Sequence, residues 1–270
     1  MVDQQDPSDQ SPRRVPRSMR RPRSLVTGAA ARVGLATALE FASRGHDLVM
    51  AVRCLDARAE AAAARVRARA AAAGHPAATI ELRAADLSDP SAVSTLAATF
   101  AGECLDAVVH CAARYDARPL GDLDSEHVLE HFRVNALAPL MLTQGIRKSL
   151  EASVLDAGAG VVCFTDMHAE GRLYRDHASY FASKGALGSI VSALALELAP
   201  TVRVNAIAPG VVAWPQGCDV AFQERYIART PLARAGTVEE AAQCAAWLAL
   251  EASFITGTTV RLDGGRWLTA

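Results

Sequence analysis

The feature that most constrains this chain is the alternation of short, unbroken apolar runs with helix-forming stretches. "RSLVTGAAARVGLATALEFASRGHDLVMAVR" reads as strand, glycine-containing turn, helix and strand, with Gly45 placed to close the helix. "LDARAEAAAARVRARAAAAG" is helical by propensity. Strand "ATIELRAADLS", helix "SAVSTLAATFAG" and strand "LDAVVHCAARY" follow, and then one long helix, "EHVLEHFRVNALAPLMLTQGIRKSL". Strand "GAGVVCFTD", helix "ASYFASKGALGSIVSALALELAP", strand "VRVNAIAPG", helix "TVEEAAQCAAWLAL" and strand "TTVRLDGG" complete the series. The apolar runs are continuous rather than alternating, as in a parallel sheet covered by helices on both faces. The pattern predicts a doubly wound parallel α/β sheet. No repeat or internal linker divides it, so residues 24–270 are expected to form a single domain.

Composition limits what such a domain meets. Hydrophobic residues make up 51% of the 270, enough for a sizeable core. With 28 Lys+Arg against 29 Asp+Glu, no whole-molecule field draws nucleic acid. The Arg- and Pro-rich "SPRRVPRSMRRPR" lacks the apolar stretch of a secretion signal and the aromatics of a stacking surface, so residues 1–23 are expected to be a solvated arm. No apolar run of about 18 residues is apparent, so no membrane span is expected. The six cysteines form no CxxC and have no histidines at zinc-finger spacing. A reduced, cytoplasmic protein without a structural metal is expected.

"TGAAARVG" follows a strand and opens a helix, where backbone N–H groups meet a pyrophosphate in doubly wound sheets. Gly28 suits the tight turn and Gly34 the close packing of helix on strand. Arg32 stands at the usual middle glycine. It is either a solvated helix residue or a fork of donors for a phosphate. The next strand ends in Arg53, with no carboxylate before Asp56. An arginine there suits a 2′-phosphate and favours NADP over NAD, a plain surface arginine being the alternative. Asp86 ends the third strand, where an adenine would lie, or else serves as a turn residue.

Tyr180 and Lys184 in "YFASK" are four apart and share a helix face. An ammonium near a phenol favours the phenolate, so Tyr180 is expected to exchange a proton near neutral pH. Asn135 in "FRVNALAP" is a polar side chain in an apolar helix and needs a partner. Asp166 ends the apolar "GVVCF" run, and a carboxylate there is costly unless something uses it. It is either a helix N-cap or a substrate ligand. Thr165, His168 and His177 read as loop or packing residues. Trp214, after Pro209-Gly210, lines a pocket or anchors an interface.

From Ser24 to Leu268 the chain resembles the short-chain dehydrogenases/reductases. "TGAAARVG", "AADLS", "RVNALAP", "YFASK", "RVNAIAPG" and "RLDGG" carry the resemblance, in that order. It implies a Rossmann-like seven-stranded sheet, hydride transfer from a nicotinamide cofactor and a homotetramer. It also implies catalytic Asn135, Tyr180 and Lys184, with Val33, Leu87, Ala112, Pro209 and Gly210 along the dinucleotide. Three departures stand out: Arg32 for glycine, "HCAAR" for the frequent Asn-Asn-Ala-Gly, and Asp166 for the usual catalytic serine. The first and third are similar to pteridine reductases and bacterial dihydromonapterin reductases, as are "FTD", the "WP" after Pro209-Gly210, and "LDGGR". The resemblance places Tyr115 where those enzymes sandwich a pterin against the nicotinamide. The expectation is an NADPH-dependent pterin reductase binding its substrate through Arg32, Tyr115, Asp166, Tyr180 and Trp214. Reduction of another carbonyl or quinone, or non-catalytic dinucleotide binding, are the alternatives.

Overall fold

A computed structural model describes residues 20–215 and 217–269. Most of the expected arm, residues 1–19, lies outside the described residues. Seven strands follow the expected order: β1 (Arg23–Thr27), β2 (Asp47–Val52), β3 (Ile80–Ala84), β4 (Ala107–His110), β5 (Ala159–Phe164), β6 (Val202–Pro209) and β7 (Thr259–Leu262). They form one sheet in the order β3-β2-β1-β4-β5-β6-β7, and every pair is parallel. The winding reverses between β1 and β4. The crevice outside the carboxyl ends of these strands is where ligands of such sheets bind.

Helices α1 (Arg32–Ser43), α2 (Ala57–Ala72) and α3 (Pro90–Ala98) link the first four strands. Each face of the sheet is buried. Phe41, Val66 and Met50 belong to one core cluster, and Phe100, Leu142 and Val191 to the other. Burial on both faces explains why the strands carry no alternating pattern.

The long helix expected near 126–150 is instead α4 (Ser125–Phe132), a π-helical turn (Arg133–Leu137), α5 (Ala138–Gly145) and α6 (Arg147–Glu151). Pro139 has no N–H to return to the Asn135 carbonyl, so one α-type bond is missing there. The Ala138 N–H bonds the Arg133 carbonyl instead, five residues back, which widens the turn.

α7 (Ala178–Leu198) covers β6, and α8 (Val220–Ala228) and α9 (Val238–Leu250) complete the chain. α9 starts on a full capping box, Thr237 with Glu240. α8, which the apolar pattern does not announce, is capped by Asp219. α7 has 21 residues and an 18-residue window of mean hydropathy 1.3, so by length and composition alone it could cross a membrane. Its inner face, including Leu187, Val191 and Leu194, packs into the core.

The fully buried Asp106 fixes the near edge of the domain. Its carboxylate accepts from the Arg23 N–H, the Arg20 guanidinium, the Ser153 hydroxyl and the Val154 N–H, all at 2.7–2.8 Å. These charge-assisted bonds tie Arg20 and Arg23 to the sheet.

Candidate active site

The glycine turn is built for close approach. Gly28 has φ +64, and a Cβ there would sit 2.9 Å from the Ala112 Cα. A Cβ on Gly34 would sit 2.2 Å from the Gly28 carbonyl oxygen. Between them Arg32 adopts φ +47, a left-handed conformation that costs a non-glycine residue about 1 kcal/mol. Its guanidinium donates to the Ala213 carbonyl at 2.7 Å, bridging the crevice to the segment after β6. Val33 is half-buried behind it.

Arg53 is exposed at the end of β2. Asp86 is also exposed, and its carboxylate accepts from the Ser88 N–H at 2.9 Å and the Ser88 hydroxyl at 2.7 Å. These bonds, with the charge of Arg53 as a weaker contribution, hold its carboxyl below the usual range. Leu87 is buried next to it. The Ala112 N–H donates to the Thr27 hydroxyl at 3.2 Å, joining β1 to the loop after β4 across the switch point. Where the family often has asparagine, His110 is buried with Nε2 3.0 Å from the Thr143 hydroxyl. Pro209 ends β6, and the Gly210 N–H bonds the Leu262 carbonyl at 2.9 Å.

At the carboxyl end of β5, Asp166 divides its two oxygens. Oδ1 accepts from the His168 N–H at 2.7 Å, capping a short 3₁₀ turn (Met167–Glu170). Oδ2 accepts from the Tyr180 hydroxyl at 2.7 Å. The cap and the contact with the catalytic candidate are therefore both present. Lys184 is buried, and its Nζ donates to the Phe164 carbonyl at 2.5 Å and lies 5.9 Å from the centre of the Tyr180 ring. Burial lowers its pKa to about 8, against the raising effect of Asp166.

Tyr180 departs from the expectation of a lowered pKa. Burial first, and the adjacent Asp166 next, push the phenol well above its usual range. The ammonium turns to the strand carbonyl, so the phenol stays protonated and donates.

Asn135 sits on the π-helical turn, fully buried. Its Oδ1 accepts from the Arg114 N–H at 2.8 Å, and its Nδ2 donates to the Arg114 carbonyl at 3.0 Å and the Ser183 hydroxyl at 2.9 Å. It clamps the loop after β4 to α7, and among the described residues its side-chain hydrogen bonds go to Arg114 and Ser183. The loop carries Tyr115, whose ring meets Tyr180 edge-on at 4.8 Å and stacks on His177 at 4.9 Å. The Tyr115 hydroxyl lies 3.1 Å from that of Tyr174, and Tyr115 is 46% exposed, leaving ring surface for a ligand.

The structure thus brings Asp166, Tyr180 and Tyr115 together, with Lys184 behind and Asn135 bracing. Trp214 is half-buried and packs edge-on against Tyr226 at 5.5 Å and Phe222 at 6.3 Å, and it touches none of the three. Ser183 and Tyr174 are site residues that the sequence reading missed. Ser183 had a signal, since it lies three positions after Tyr180 on the same helix. Tyr174 had none, because its loop has no period.

A nicotinamide dinucleotide fits these residues. The glycine turn opens α1 at the carboxyl edge of the sheet, where helix N–H groups can meet a pyrophosphate, and the Arg32 guanidinium lies beside it as a further donor. The Lys184 ammonium has three donors, and among the described residues it uses one on Phe164.

Residues 28–266 match the family model described as enoyl-(acyl carrier protein) reductase. The chain is 32% identical over 255 residues to 3beta-hydroxysteroid dehydrogenase 1 of Eggerthella lenta, covering 90% of this chain and 93% of that protein. It is 27% identical over 248 residues to a dihydromonapterin reductase of Klebsiella pneumoniae, covering 90% and 95%. A solved short-chain type dehydrogenase/reductase from Mycobacterium ulcerans superposes with a TM-score of 0.82 at 25% identity, over 92% of this chain and 90% of that one. Matched along its length in sequence, sheet order and glycine turn, this chain belongs to the short-chain dehydrogenase/reductase family of nicotinamide-dependent oxidoreductases.

Proposed function

We propose that this oxidoreductase reduces pterins with NADPH, taking a dihydropterin to the tetrahydro form. Oxidised pterins and dihydrofolate are further candidates of the same chemistry. The observation that carries the reading is the Asp166 carboxylate 2.7 Å from the Tyr180 hydroxyl, beside the half-exposed Tyr115. A ketone needs only a donor for its oxygen. A pterin has a C=N bond in a ring rich in N–H donors, and a carboxylate can accept from them. Asp166 Oδ2 has lone pairs enough for a ring N–H as well as for Tyr180.

When bound, NADPH would supply the hydride for the C=N carbon. Arg53 would meet the 2′-phosphate and Lys184 the nicotinamide ribose. Tyr115 would stack on the pterin, and Asp166 would hold its N–H face. Tyr180, kept protonated by burial and by Asp166, is the proton source for the ring nitrogen, with Asp166 as the relay. The 27% identity to a dihydromonapterin reductase supports this reading. The second reading, a carbonyl reductase, is favoured by the 32% identity to the steroid dehydrogenase.

We also infer a homotetramer and a cytoplasmic location. The outward face of α7, including Ala182, Gly185, Ser189 and Leu196, is exposed on an otherwise apolar helix and suits a second copy. A solution mass of one chain would end that idea. Six free cysteines, with Cys111 and Cys163 pushed up to about 12 by burial, suit a reducing compartment. NADPH oxidation measured with 7,8-dihydrobiopterin, dihydrofolate and a panel of ketones tests the substrate. Turnover of the pterin above all ketones is expected, and turnover of ketones alone would overturn the reading.

A further inference from the structure

Asp116, His127 and His131 bring one ligand atom each within 4.8 Å of one another. The two histidines are one turn apart on α4, so their rings share a face, with centroids 4.5 Å apart. Asp116 comes from the loop after β4. Its Oδ2 lies 3.5 Å from His127 Nδ1 and its Oδ1 3.3 Å from His131 Nε2.

Both nitrogens are buried without a hydrogen-bond partner, on side chains only 2% and 0% exposed. Such orphaned polar atoms are uncommon and costly. His131 shows why its nitrogen is orphaned. Its Nδ1 lies 2.9 Å from the His127 carbonyl. A carbonyl only accepts, so Nδ1 carries a proton, and in the neutral imidazole Nε2 then turns its lone pair toward a carboxylate that is itself acceptor-only. In that form two acceptors lie 3.3 Å apart, an arrangement that a shared cation satisfies. Metal-binding histidines are held in this way, the far ring nitrogen donating to a backbone carbonyl.

We propose that Asp116, His127 and His131 bind a divalent transition-metal ion of the zinc class. Two imidazoles and one carboxylate match that ion's preference, and water completes the shell. The Arg114 guanidinium competes for the carboxylate, donating from Nε to Asp116 Oδ1 at 2.9 Å and reaching Oδ2 at 3.4 Å. It also pairs with Glu130 at 3.0 Å, which retains it when Asp116 turns to a metal. The cysteine pattern had suggested no structural metal. This site contains no cysteine, and one ligand lies outside the helix, so zinc-finger spacing does not reveal it. A metal here would fasten α4 to the segment carrying Tyr115, next to Arg114, whose backbone Asn135 already holds. The site is separate from Tyr180 and does not depend on which substrate is reduced.

The test is titration of the chelator-treated full chain with Co²⁺ and then Zn²⁺, followed by visible absorption and calorimetry. One Co²⁺ per chain is expected, without the intense near-ultraviolet band of thiolate ligation, and Zn²⁺ should displace it. Asp116→Asn and His131→Gln should each weaken binding about tenfold or more. Asp116 is a half-exposed loop residue, so Asp116→Asn keeps the test informative if His131→Gln does not fold. Absence of stoichiometric binding, a thiolate band, or affinity unchanged in Asp116→Asn would each overturn the proposal.

Discussion

Tyr180 and Arg53 show how far a single side chain can be read. Helical spacing put Tyr180 and Lys184 on one face, but it did not show that the ammonium donates to the Phe164 carbonyl. That direction comes from where β5 ends relative to α7, which is a tertiary fact. The Asp166 bond to Tyr180 was likewise not legible, because the residues are joined through an irregular loop. Arg53 was legible as a cation at a strand end, and it is exposed there. If it meets a 2′-phosphate, Arg53→Asp should weaken NADPH by about 10- to 100-fold, the loss of one or two charge-assisted bonds. NADH should lose far less. Fluorescence titration of both cofactors checks this, and equal losses would remove Arg53 from the phosphate site.

Among the elements, the strands and most helices were legible because continuous apolar runs and glycine ends report burial and turns directly. The exceptions have physical causes. α8 is short and buries only Tyr226, so its pattern is weak. The π-helical turn follows from Pro139, whose missing N–H widens the helix where Asn135 sits. That widening lets one asparagine reach both the Arg114 backbone and Ser183. Asn135→Ala should therefore free the loop carrying Tyr115, at a cost of about 1–3 kcal/mol for the stranded partners. Amide exchange at positions 113–117 should quicken while helix content stays the same. Unchanged exchange there would show that other contacts hold the loop.

At the scale of the whole molecule, folding keeps His46 and His110 neutral. Burial lowers His46 to about 4 and His110 to about 4, from an ordinary 6.5. Below pH 6.5 the unfolded chain binds protons at these positions before the folded chain does. Stability is therefore full above that pH and declines as pH falls toward 4, by up to about 1.4 kcal/mol per pH unit per histidine. The urea midpoint should drop between pH 7 and pH 5, and equal midpoints would contradict this. Neither histidine was legible as a pH-sensitive group, since burial depends on the assembled sheet. Their bonds are to the neutral Ser24 and Thr143 hydroxyls, which give no charged partner.

The central claim is that Asp166 recognises the substrate and is more than the cap of a turn. Serine caps about as well as aspartate, so Asp166→Ser keeps the His168 N–H satisfied and restores the residue usual in the wider family. Steady-state turnover of 7,8-dihydrobiopterin by wild type and Asp166→Ser is the most direct measurement. Turnover should fall by about 10²–10⁴ with the fold intact, the contribution of a positioned acid–base group. Turnover of the pterin by Asp166→Ser at the wild-type rate would contradict it.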